Sequence, residues 1–143
     1  MFACIRWVAL AFTLVLSGPF LAMAEDARPP VAEKVMAYQG QQGVKVWTLR
    51  IGERSANEAL VQVEGVDHDW NMRIQKMKVE KTARDTRYST EVAGQKFVAL
   101  IIQDGYGELY LPDESQELTV GYSENLSSEG NPQAFLTDYL NQK

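Results

Sequence analysis

From Val44 onward, apolar and polar residues alternate with a period of two, the mark of strands that bury one face. The first run, Val44–Ile51, puts Val44, Val46, Thr48 and Arg50 on one side and Lys45, Trp47, Leu49 and Ile51 on the other. A second run sets Ala59, Val61 and Val63 against Gln62 and Glu64. In the next, Met72 and Ile74 share one parity while Met77 and Val79 share the other, which predicts a β-bulge near Gln75 and Lys76. Phe97–Ile102 is apolar on both faces, as befits a central strand covered on both sides. Asp104-Gly105 then predicts a two-residue hairpin turn, because a type I′ turn needs positive φ at both central positions. Tyr106, Glu108 and Tyr110 alternate with Gly107, Leu109 and Leu111 on the returning strand.

With Thr86–Val92 before Ala93-Gly94 and Glu117–Ser123 after the turn residues Pro112–Gln116, five strands follow in series from Met72 to Ser123, and seven in all. The expected class is all-β to α+β: a small antiparallel meander forming a sandwich or partly open barrel, with a C-terminal helix. That helix is placed at about 131–141, with Asn131 as cap, Pro132 at the first helical position, and an apolar stripe of Phe135, Leu136, Tyr139 and Leu140. Residues 25–43 show no sustained period and hold two prolines, so they read as an extended N-terminal arm with one helical turn around Val31–Tyr38. Residues 44–143 read as a single β-rich domain, and Ser123–Gly130 as a linker before the helix.

The first 24 residues change where this domain is expected to work. Arg6 precedes an apolar run from Trp7 to Leu16, and Ala22 and Ala24 form a small-residue cleavage pattern ahead of Glu25. This order reads as a cleavable export signal, and the expected location is the periplasm. Removing 24 of the 143 residues leaves 119, enough for one self-sufficient core. Cys4, the only cysteine, lies in the signal, so the mature chain has no thiol for disulfides, nucleophilic catalysis or a Cys-based zinc site.

The one histidine, His68, stands in the stretch "VEGVDHDWNM" between Asp67 and Asp69. Asp67, Asp69 and Asn71 match the first, third and fifth ligand positions of a calcium loop, but Met72 stands where its glycine belongs and Lys78 where its bidentate glutamate belongs. The three form a weak calcium candidate, and the preferred reading is a polar bend between strands, held by Asx-type bonds and anchored by Trp70. The flanking carboxylates are expected to favour protonated His68. No resident cofactor or metal is expected, and no phosphate loop, nucleophile elbow or dinucleotide fingerprint is present. No catalytic residue is assigned; the best enzymatic alternative is a calcium-dependent or carboxylate-pair hydrolase acting on envelope glycans, with Glu108 between Tyr106 and Tyr110 as its most suggestive spot.

Charge carries the clearest signal in a chain of net charge −5. Arg73, Lys76, Lys78, Lys81, Arg84 and Arg87 stand against Glu80 and Asp85, whereas Asp104–Glu129 contains seven carboxylates and no cation. Such a surface attracts cationic partners and repels nucleic acid and anionic membranes. The function expected is an exported, non-enzymatic binding protein, of the inhibitor or immunity type, that blocks a cationic protein partner in the cell envelope. Its expected contact residues are Asp113, Glu114 and Glu124, on two acidic loops, with Tyr106, Tyr110 and Tyr122 beside them. A structural accessory of an envelope complex is the remaining alternative. The sequence does not assign an oligomeric state.

Overall fold

The computed structural model describes residues 28–142; the predicted signal, 1–24, lies outside the described residues. Eight strands run in sequence order, each antiparallel to its neighbours, and close into a barrel: β1 (Met36–Gly40), β2 (Lys45–Ile51), β3 (Glu58–Glu64), β4 (Ile74–Lys81), β5 (Thr86–Val92), β6 (Gln95–Gln103), β7 (Tyr106–Leu109) and β8 (Leu118–Tyr122). Two helices follow, α1 (Glu124–Glu129) and α2 (Pro132–Asn141). The antiparallel class and the C-terminal helix agree with the sequence reading. The sandwich or partly open barrel does not, because an eighth strand, β1, lies in the segment read as an arm and joins β2 to β8.

The meander places the β1–β2, β3–β4, β5–β6 and β7–β8 connections at one end of the barrel, here the upper end. The other turns, the entry to β1 and the exit from β8 lie at the lower end. Inward positions form one core from Tyr38, Val46, Ala59, Val61, Val63, Met77, Val79, Leu100, Leu109 and Val120, consistent with the interior of an eight-stranded barrel being just wide enough for side chains to fill. A second core lies outside the wall, where α2 presses Phe135 and Leu136 onto Leu49, Ile51, Leu60 and Ile74.

This second core explains the change of parity in β4. No bulge occurs at Gln75 or Lys76, since β3 and β4 pair in unbroken register; Ile74 faces α2 while Met77 and Val79 face the barrel interior. The register shift lies between β5 and β6, where Tyr88 pairs Leu100 and Ser89 pairs Val98, leaving Ala99 as the extra residue. The predicted turn at Asp104-Gly105 forms with φ of 52° and 80°.

The closing seam is short. Tyr38, Gln39 and Gly40 pair Tyr122, Gly121 and Val120, and a Cβ on Gly40 would sit 2.4 Å from the Thr119 carbonyl oxygen. Past this ladder, Ala37 is fully buried, and α1 supplies its partners: Ser127 Oγ accepts from the Ala37 N–H at 2.8 Å, and the Ser123 N–H donates to the Ala37 carbonyl at 3.0 Å. The segment read as a linker is therefore a capped helix, with the Ser123 side chain accepting from the Leu126 N–H and Leu126 and Ser127 buried against the wall. Removing the hydroxyl with Ser127→Ala orphans a buried N–H; we expect a loss of about 1–3 kcal/mol in urea unfolding, with the denaturant slope unchanged.

Tyr38 and Tyr88 point inward near the lower end, and Tyr38 meets Tyr122 edge-on with ring centroids 5.9 Å apart. Burial, and then the neighbouring Tyr88 and Tyr122, raise the Tyr38 phenol well above its ordinary range. A phenol raised in the fold stabilises it fully below the unfolded value near pH 10, and that contribution declines as the pH climbs toward the folded value. Unfolding midpoints measured from about pH 9 to 11 should fall in the parent chain and fall less in Tyr38→Phe.

Candidate functional site

The histidine stretch is the connection between β3 and β4, and it closes the upper end of the barrel. Val66 and Trp70 pack on the inner core, Trp70 meeting the inward ring of Phe97 edge-on at 5.8 Å. His68 ties this plug to the β7–β8 connection: its Nε2 bonds the Pro112 carbonyl at 2.9 Å, while Nδ1 accepts from the Trp70 N–H at 3.0 Å. A carbonyl can only accept and an N–H can only donate, so the ring sits as the neutral Nε2–H tautomer. Neither Asp67 nor Asp69 pairs with it, since no described ion pair includes His68. Asn71 Oδ1 accepts from the Gly65 and Val66 N–H groups at 2.8 and 3.1 Å, so this oxygen closes the bend by reaching back across it to its start, and not by the local Asx-type turn expected there. Of the calcium candidate Asp67, Asp69 and Asn71, the Asn71 oxygen is thus engaged by two N–H groups, and the described residues contain no group of three or more His, Cys, Asp or Glu positioned to hold a metal.

The acidic residues divide between the ends of the barrel. Asp113 and Glu114 lie exposed on the β7–β8 connection, at the upper end beside the plug. Tyr106, Glu108 and Tyr110 line the outer face of β7 and its extension, spanning about 13 Å along the chain. Glu124 is the first residue of α1 at the lower end, and Tyr122 turns toward the barrel mouth against Tyr38. These two are thus separated from Asp113 and Glu114 by the length of the wall. The residue that sequence reasoning left out is Glu117, whose carboxylate meets that of Glu108 at one hydroxyl: Tyr110 Oη lies 2.7 Å from Glu108 Oε2 and 3.0 Å from Glu117 Oε2. The bond to Glu108, then desolvation and the bond to Glu117, push the Tyr110 phenol well above its usual range. The eight residues Leu109–Gln116 between Glu108 and Glu117 hid the convergence.

Tyr106 is 70% exposed and stands between two shallow recesses, one bordered by Gln39, Gln41 and Gln116 and the other by Arg87, Gln103 and Glu108. The described ion pairs, Lys76–Glu58, Arg87–Asp85 and Lys96–Glu80, all lie on β3–β6 or the turn before β5. None reaches β7 or β8. From Phe97 to Gln142 the chain has eight carboxylates and no Lys or Arg; Arg87, which shares a recess with Glu108, is paired with Asp85.

No family model matches the chain, and no curated protein or solved structure matches it either.

His68→Ala should cost about 1–3 kcal/mol by leaving the Pro112 carbonyl and Trp70 N–H without this partner. Near-ultraviolet circular dichroism should register the loosened Trp70, while far-ultraviolet signal is retained.

Proposed function

We propose that the chain is an exported, non-enzymatic binding protein that engages a cationic protein partner through the acidic sector of β7 and β8, in the manner of an inhibitor or immunity-type protein of the cell envelope. The observation that carries this reading is the strip of Glu108, Asp113, Glu114 and Glu117 around Tyr106 and Tyr110, on β7 and the β7–β8 connection, which no described ion pair reaches. Such a strip is shaped before contact, which limits the ordering cost of association. Exposed tyrosines supply contact area at low entropic cost, and the carboxylates steer approach. Glu124 and Tyr122, at the other end of the wall, fall outside the patch. The two nearest carboxylates, Glu108 and Glu117, share the Tyr110 phenol, which fills the space between them where a hydrolase would seat the reacting bond; this favours binding over the carboxylate-pair hydrolase.

The test is capture of a partner from the protein's own envelope fraction, followed by affinity and salt dependence with the purified pair. The combined change Glu108→Gln, Asp113→Asn, Glu114→Gln and Glu117→Gln should abolish stoichiometric capture of a basic protein. A single change at a central carboxylate should cost about 2–5 kcal/mol, mainly in dissociation. Glu124→Gln should leave affinity intact. A partner held equally by the fourfold variant would reduce the acidic sector to a solubility feature.

A further inference from the structure

The lower mouth of the barrel has the opposite character to the β7–β8 sector. Arg50 follows Val46 and Thr48 on the inward face of β2, and its half-buried guanidinium reaches only neutral oxygens: Nη2 donates to the Arg54 carbonyl at 3.2 Å and to Asn57 Oδ1 at 3.4 Å. Arg54, on the β2–β3 connection, and Lys34, on the segment entering β1, border the same recess, and Lys81 borders the one adjoining it. Glu33 and Glu53 are the carboxylates at these rims, so four cations face two anions. None of the four cations belongs to an ion pair among the described residues. The recess beside Arg50 has a volume of about 580 Å³, and its apolar surface comes chiefly from Val31 and Met36, with the buried Ala59 and Tyr88 behind them. Met36 is 40% exposed toward solvent in this otherwise close-packed barrel.

We propose that this mouth binds a small organic monoanion with an apolar tail, its carboxylate held by Arg50 and Arg54 and its tail laid against Val31, Met36 and the exposed edge of Tyr88. A guanidinium presents paired donors that match a carboxylate, and a concave apolar wall of this size is typical of small-molecule sites. The tail distinguishes the ligand from free phosphate, which has nothing to place on Met36 and Tyr88. The two rim carboxylates, Glu33 and Glu53, disfavour a second negative charge, which selects a monoanion. The site is independent of the acidic sector, and neither proposal depends on the other.

Isothermal titration of the chain with sodium octanoate tests the site, with octanol and inorganic phosphate as separate arms. Octanoate should bind at least about tenfold more tightly than either. Arg50→Met, which keeps the apolar stem, should weaken octanoate by about tenfold or more, and Arg54→Gln, on an exposed connection where folding is not at stake, by severalfold. Lys96→Met, paired with Glu80 on the outer wall, should leave it unchanged. The proposal fails if octanoate gives no saturable heat at millimolar concentration, if octanol or phosphate binds as tightly, or if Arg54→Gln leaves octanoate affinity at the parent value.

Discussion

Closure of the barrel rests on a three-residue ladder between β1 and β8 and on the two backbone groups of Ala37 that the ladder does not reach. An open sheet of this size would leave two edges of unpaired N–H and C=O groups. Here the first and last strands pair, and α1 completes the seam from outside by giving Ala37 a hydroxyl acceptor and a backbone donor. The helix is therefore part of the wall's hydrogen-bond closure and not an appendage. Strand β1 also carries Tyr38 into the interior, so the seam fixes a core side chain and the rim of the lower mouth together.

Because each strand pairs with its sequence neighbours, a stretch of charge along the chain becomes a sector of the barrel. The cation-rich β4 and β5 stand across the barrel from β8 and β1, and their charges pair locally with Glu58, Glu80 and Asp85. The hydrogen bond from Lys96 holds the Glu80 carboxyl below its ordinary range, and the bond from Arg87, with that from Thr82, does the same for Asp85. The carboxylates of β7 and the β7–β8 connection take part in no described ion pair. A more shuffled topology would have interleaved the two runs; the meander keeps them apart, and the acidic face follows from strand order.

The features legible in the sequence were those carried by local chemistry. Asp104-Gly105 announces its turn because few dipeptides tolerate two positive φ values, and Asn131-Pro132 announces α2 because the cap and the first helical position have strict preferences. The polar bend at Asn71 was legible, but not its bonds, which reach back five and six residues to Val66 and Gly65. Strand β1 was not, since Met36–Gly40 is five residues long, follows a proline-rich stretch, and buries both Ala37 outward and Tyr38 inward, which erases alternation. The parity change in β4 was misleading because a wall with cores on both sides has no single apolar parity. The candidate site was half legible: Glu108, Asp113, Glu114, Tyr106 and Tyr110 lie on one continuous stretch, but Glu117 joins them and Glu124 leaves them only through strand pairing and the length of β8.

The two ends of the barrel divide the available roles. At the upper end, Trp70 and Val66 fill the opening and His68 bonds two connections together, so that end is committed to stability and offers a rigid base for Asp113 and Glu114. At the lower end, Tyr38 and Tyr88 fill the interior and the Arg50 recess lies beside them, its lining combining half-buried Arg50 with Met36 and Tyr88. A strand of seven residues spans about 23 Å, more than twice the screening length of about 8 Å at physiological salt, so charges confined to opposite ends interact weakly through solvent. The fold can thus hold a positive mouth and a negative upper rim on one small acidic chain without either cancelling the other, and that separation is set by the barrel's length.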